Sequence, residues 1–184
     1  MTIIALLSSV CIMLSLTPIG YLQIGPVSAT IMHLPVIIGA IVEGPIVGAI
    51  IGLVFGLTSF FRAVTTPTVT SFIFMNPLVS IVPRVLMGFL VYYVYLGILK
   101  ATKKVSASGF IAGLIGSLLN TVGVLGTIYL LYADRYMEIL GISGQAAKAI
   151  AGIAVTNGIP EAIVAACIVS PIAVIFNRKK KNFK

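Results

Sequence analysis

Between Glu43 and Arg62 the chain reads Gly44-Pro45-Ile46-Val47-Gly48-Ala49-Ile50-Ile51-Gly52-Leu53-Val54-Phe55-Gly56-Leu57-Thr58-Ser59-Phe60-Phe61, without a charge. As an α-helix this stretch rises about 27 Å, close to the roughly 30 Å hydrocarbon core of a bilayer. Gly44, Gly48, Gly52 and Gly56 recur every four positions and so share one helical face. In lipid, apolar surface alone does not drive helices together, and small residues serve by letting two backbones approach closely. The stretch therefore reads as a membrane helix packed tightly against a neighbour, with its glycines used for packing rather than for ligand contact.

The texture on either side is the same. Of 184 residues, 59% are hydrophobic and 9% charged, whereas soluble domains carry about 25% charged residues. Too few charges remain to cover a surface in water, and the chain is expected to be an integral membrane protein. Breaks rich in Pro, Gly, Thr or charge fall at 17–20, 43–45, 62–77, 100–108 and 133–145. They predict one all-α domain over 1–184, a compact bundle of six transmembrane helices at about 2–17, 29–42, 44–61, 77–99, 107–132 and 146–176. The second of these is short, with a rise of about 21 Å. It must either continue into the preceding loop or pack wholly against protein. The first lacks a basic start and a small-residue cleavage site, so a retained membrane helix is expected rather than a removed signal peptide.

The net charge of +8 is unevenly placed. Eight of the twelve Lys and Arg residues are Lys100, Lys103, Lys104, Arg178, Lys179, Lys180, Lys181 and Lys184. Basic segments flanking apolar spans stay in the cytoplasm, which puts both termini and the joints at 43–45 and 100–106 inside. The connections 18–28, 62–76 and 133–145 are then outside, expected to fold back over the outer face. Apart from Phe183, no aromatic residue interleaves the basic ones, so no nucleic-acid partner is expected.

An enzyme is not expected either. Six spans leave no room for a nucleotide-hydrolysing domain, and the chain has no Gly-x-x-x-x-Gly-Lys loop, no His-Glu-x-x-His and no Ser/His/Asp constellation. Cys11 and Cys167 lie in separate apolar stretches with no partner at ligand spacing, which argues against a disulfide, a metal site or a cofactor. Small residues recur at Gly109, Gly113 and Gly116, and at Ala154, Gly158, Ala162, Ala166 and Ser170. On the first helix Ala5 and Ser9 form a similar patch, open to a neighbour in the same chain or to a separate membrane protein.

Ionisable and amide groups within membrane spans are costly, and each is a functional candidate. They are Arg84, Asn76, Asn120, Asn157, Glu161 and His33, with Arg62 closing the third helix at the same level. In the expected topology nearly all lie in the outer half of the bundle, describing a polar pocket open to the outside. Each has a plainer alternative. Arg84 and Glu161 could form a buried ion pair, and Asn76 before Pro77 could cap a helix. Asn120 and Asn157 could bond between helices, and His33 could be a hydrogen-bonded wall residue. Glu161 would repel an acidic substrate, and Pro160 beside it predicts a kink.

Taken together, Thr17-Pro18-Ile19-Gly20, the run from Ile24-Gly25-Pro26 to Leu34-Pro35-Val36-Ile37, Gly48 to Ser59, Phe74-Met75-Asn76-Pro77-Leu78-Val79-Ser80, Pro83-Arg84 and Asn120-Thr121 resemble the substrate-binding S components of energy-coupling factor (ECF) vitamin transporters, most closely the pantothenate-specific type. The resemblance covers almost the whole chain. It implies a multi-pass bacterial cell-membrane receptor that binds a vitamin from outside, under its first and third loops. Its implied partners are one transmembrane coupling protein and two ATPase subunits, which suits a chain with no nucleotide loop. Family members carry an Ala-x-x-x-Ala docking patch on the first helix, which Ala5 and Ser9 match with one substitution. For pantothenate, Arg84 would hold the carboxylate and Asn76, Asn120 and Asn157 the amide and hydroxyl groups. An S component for a pyridoxine or pyrimidine-type vitamin is the alternative. A stand-alone carrier or channel would need an internal repeat or a polar path to both faces, and the sequence has neither. A scaffold using its glycine faces would have no small-molecule pocket.

Overall fold

A computed structural model describes residues 2–17, 20–24, 27–66, 71–140 and 146–182. In chain order the elements are α1 (Thr2–Leu16), β1 (Tyr21–Ile24), β2 (Val27–Thr30), α2 (Leu34–Glu43), α3 (Pro45–Thr65), α4 (Ser71–Phe74), α5 (Pro77–Ser80), α6 (Val82–Thr102), α7 (Val105–Leu140) and α8 (Ala146–Asn182). Among the described residues the regular structure is helical apart from one antiparallel hairpin, in which Tyr21 pairs with Thr30 and Ile24 with Val27. Among the described residues, four segments are long and apolar enough to cross a membrane, Pro45–Thr65, Pro77–Thr102, Val105–Arg135 and Ile150–Arg178; α1 and α2 are apolar but shorter. Ile46, Phe61 and Leu130 are each exposed by 66% or more, as lipid-facing side chains would be.

The expected helix at 29–42 begins only at Leu34, because residues 27–30 are drawn into the hairpin. The remainder is a short helix packed largely against protein, with Ile38, Ile41 and Val42 half-buried and Glu43 exposed. Leu34, Pro35, Val36, Ile37, Gly39 and Ala40 are all buried, and α2 touches α1, α3, α6, α7 and α8. It is the central post of the bundle. Its length suffices because the surrounding helices, rather than lipid, satisfy its apolar surface. At its foot Gly44 takes φ 102°, a conformation side-chain-bearing residues avoid, and Pro45 starts α3 with the fixed φ a first helical turn needs.

The glycine face of α3 packs against α6. A Cβ added at Gly48, Gly52 or Gly56 would run into the Gly88 carbonyl, the Arg84 carbonyl and Ile81 respectively. The Gly109 and Gly113 face lies in the same way on Ser170, Ala173 and the Ala165–Ala166 backbone of α8.

Two other expected helices are interrupted. The segment predicted as 77–99 breaks at Ile81, separating α5 from α6, and the segment 107–132 continues to Leu140 but leaves helical dihedrals at Tyr132 (φ −139°, ψ 20°). The connections expected to lie outside are therefore partly helical, at α4 and at 133–140. Parts of the first and third connections, 18–19, 25–26 and 141–145, lie outside the described residues, as do 67–70 of the second.

Candidate ligand cavity

The C-terminal ends of α1 and α3, the hairpin, α4 and the start of α6 converge around a cavity of about 530 Å³, at the end of the bundle away from the 43–45 and 103–104 joints. That is within the roughly 300–1,000 Å³ range of small-molecule sites. On α3 the lining residues are Phe55, Ser59, Arg62, Ala63 and Thr65, followed by Thr66 at its C-cap. Ser59, Arg62 and Ala63, four, seven and eight residues on from Phe55, share one face of a 3.6-residue helix with it, and Thr65 and Thr66 widen the lining at the helix end. Ser15 and Leu16 come from α1, Thr30 from the hairpin, Met32 from the turn after it, Ser71 and Phe74 from α4, Arg84 from α6 and Asn120 from α7. None of these described lining residues is acidic.

Arg84 is placed by local backbone chemistry. Pro83 has no N–H, so the Val79 carbonyl, which would accept from residue 83 in an unbroken helix, needs another donor. Nη1 of Arg84 supplies it. The guanidinium also lies over the rings of Phe55 (5.4 Å to the centroid) and Phe74 (5.7 Å), contacts that favour a cation over an aromatic face. Its backbone is seated on Gly52. The result is a cation only 5% exposed and held in a fixed orientation at the wall of the cavity. Beside it Asn120 is 7% exposed, and its Oδ1 has no hydrogen-bond partner among the described residues. A buried amide oxygen in that state carries a penalty that a ligand donor would relieve.

The remaining candidates are distributed differently. Arg84 and Glu161 do not share a hydrogen bond or ion pair among the described contacts: Oε1 of Glu161 instead accepts from the backbone N (2.8 Å) and Oγ1 (2.9 Å) of Thr30. Thr30 lines the cavity and Glu161 does not, so the carboxylate acts from behind the wall, tying α8 to the hairpin. Asn76 caps α5, its Oδ1 accepting from Leu78 N (3.0 Å), and its Nδ2 donates to the Tyr132 hydroxyl (3.1 Å). Asn157 is half-buried on α8 beside Gly158, which abuts Thr121, and lies away from the lining. His33 sits at the start of α2, fully buried, with both ring nitrogens unpartnered among the described residues, and also lies outside the lining. Ala5 and Ser9 lie on the exposed side of α1, where Ser9 Oγ donates within its own helix, to the Leu6 carbonyl.

Sequence reasoning passed over Arg62 as a ligand candidate, together with Phe55, Ser59 and Phe74. The helical spacing from Phe55 through Ser59 to Arg62 was the signal that could have marked the three on α3; Phe74, on α4, had none.

Comparison with known proteins is consistent with this geometry. Residues 1–173 match the family described as ECF transporter, substrate-specific component. The chain is 32% identical over 171 residues to the pantothenic acid transporter PanT of Lactococcus lactis subsp. cremoris, covering 85% of this chain and 82% of that protein. It is also 32% identical over 115 residues to the pantothenate transporter PanT of Leuconostoc mesenteroides, covering 58% of this chain and 56% of that one.

Proposed function

Because this chain belongs to the substrate-specific components of ECF transporters, multi-pass membrane proteins that bind a substrate and work with a coupling protein and ATPase subunits rather than catalysing a reaction themselves, we propose that its own substrate is pantothenate. The observation that carries the reading is the buried Arg84, fixed by Val79, Phe55 and Phe74 at a cavity whose described lining has no acidic residue. Such a site suits a small monoanion. Arg84 binds the carboxylate, and Asn120 offers its unpartnered Oδ1 to an N–H or O–H of the ligand. Thr30 is held in the wall by Glu161. Asn76, Asn157 and His33 are not part of this ligand shell.

In this reading α1, α2, α3, α6, α7 and α8 all cross or enter the membrane, both termini are cytoplasmic and the cavity opens outward. The exposed side of α1, with small Ala5 and Ser9 among Leu6, Ile12 and Met13, is the docking face for the coupling protein, since small residues let a partner helix approach. The test is calorimetric titration of the purified protein with pantothenate in the absence of ATP. Binding is expected, and Arg84→Ala is expected to weaken it by roughly 100-fold, the loss of about two charge-assisted hydrogen bonds. A folded Arg84→Ala protein with undiminished affinity would exclude the assignment. Vesicles containing this chain alone should accumulate no vitamin.

A further inference from the structure

Two arginines, not one, border the cavity: Arg62 on α3, and Arg84 of α6 against the Phe55 ring of α3. Arg84 lies over Phe55, near the lower end of the lining stripe, and is almost fully buried. Arg62 stands seven residues further along α3 on the same face, about 10 Å of helix rise. It is half-buried, and its Nη1 donates to the carbonyl of Ser15 at the end of α1 (3.0 Å). That carbonyl belongs to the last turn of α1 and has no acceptor role within the helix. The bond therefore fixes Arg62 between α1 and the cavity. Ser59 lies between the two cations on the same stripe.

We propose that Arg62 is a second ligand-binding residue, which holds the hydroxyl-bearing end of the ligand while Arg84 holds the carboxylate. The inference rests on the pantothenate reading and adds an orientation to it. From terminal hydroxyl to carboxylate, pantothenate has a main chain of roughly nine atoms, as long as three residues of extended backbone, on the order of 10 Å. That length is comparable to the rise along α3 from Phe55, whose ring lies against the Arg84 guanidinium, to Arg62. The deep cation meets the charged end and the half-exposed one meets neutral hydroxyl oxygens. The pair thereby selects by length as well as by charge, and a fragment carrying only one of the two ends engages only one arginine.

The test is a cycle of ligands against variants, because a residue that merely holds α1 in place would weaken all ligands alike. Wild type, Arg62→Gln and Arg84→Gln are each titrated with pantothenate, with panthenol, in which the carboxylate is replaced by a primary alcohol, and with N-(3,3-dimethylbutanoyl)-β-alanine, which lacks both hydroxyls. In wild type each analogue should bind about 10- to 100-fold more weakly than pantothenate. Arg62→Gln should erase the penalty for the missing hydroxyls and keep the penalty for the missing carboxylate; Arg84→Gln should do the reverse. If Arg62→Gln does not fold, Arg62→Lys, which keeps the charge but not the fork, should reduce the hydroxyl penalty and leave the carboxylate penalty intact. The proposal is overturned if an Arg62 variant retains both penalties, or if it loses the carboxylate penalty instead. A wild-type protein that binds none of the three ligands overturns the pantothenate reading itself, and this inference with it.

Discussion

Along α3, Gly48 and Gly52 lie against the α6 backbone at Gly88 and Arg84 and Gly56 against Ile81 at its N-cap, whereas Phe55, Ser59, Arg62, Ala63 and Thr65 line the cavity. The first set removes every side-chain atom so that two helices touch, and the second keeps side chains so that they stand apart around a cavity. The two sets overlap at Phe55 and Gly56, where α3 stops following α6 and the Arg84 guanidinium enters the gap. Close packing below thus fixes the functional group above, because the residue whose carbonyl rests on Gly52 is the one whose side chain reaches the cavity. The comparison implies that damage to the packed half should destroy binding through folding, while damage to the open half should change affinity and leave folding largely intact.

Gly52→Leu is the most severe way to break that contrast. Its side chain would have to occupy the position of the Arg84 carbonyl and the Val85 Cα, a collision with backbone that no rotamer can relieve. A loss of more than about 3 kcal/mol is expected, beyond ordinary overpacking, seen as a collapsed thermal transition in detergent and no measurable ligand binding. Retained stability with retained binding would show that α3 and α6 can separate without cost, contrary to the seating described for Arg84.

A smaller effect should follow at the wall between the two regions. Glu161→Ala leaves the N–H and hydroxyl of Thr30 without the oxygen they share, at a cost of about 1–3 kcal/mol. Glu161→Gln keeps an acceptor oxygen and should recover most of the loss. Because Thr30 lines the cavity, ligand affinity should fall with stability in the alanine variant and return in the glutamine variant. If both variants lose binding equally while remaining stable, the carboxylate charge, rather than the support of Thr30, is what the site requires.

These two regions also differ in how far the sequence revealed them. The glycine face was legible because a four-residue period in an uncharged helix has one common use, close packing, and Arg84 and Asn120 stood out as polar groups where lipid is expected. Period alone could not say which side of α3 faced the cavity, so Arg62 read only as a helix end. Nor could it show that residues 29–30, placed at the start of the second helix, would join a hairpin, since Val27-Ser28-Ala29-Thr30 is too short to display either a strand or a helix period. The role of Glu161 was hidden for a different reason. Its partner, Thr30, is 131 positions away, and only the three-dimensional fold brings a hairpin against the middle of α8.

Asn76 offers the finest separation of the two kinds of effect. It lies beside the cavity wall, between α4, which supplies Ser71 and Phe74 to the lining, and α5, which it caps. Its amide also reaches the Tyr132 hydroxyl at the point where α7 leaves helical geometry, and Tyr132 in turn packs edge-on against Phe72. Asn76→Ala removes a cap and one side-chain bond, for which about 1 kcal/mol is expected. Asn76→Asp restores the capping oxygen but not the donor to Tyr132, and should recover part of that loss. Neither variant removes a group that lines the cavity, so the preference for pantothenate over panthenol should be unchanged in both, read by the same calorimetric titrations. A change in that preference would place Asn76 in contact with the ligand and shift the boundary between scaffold and site outward from α3 to α5.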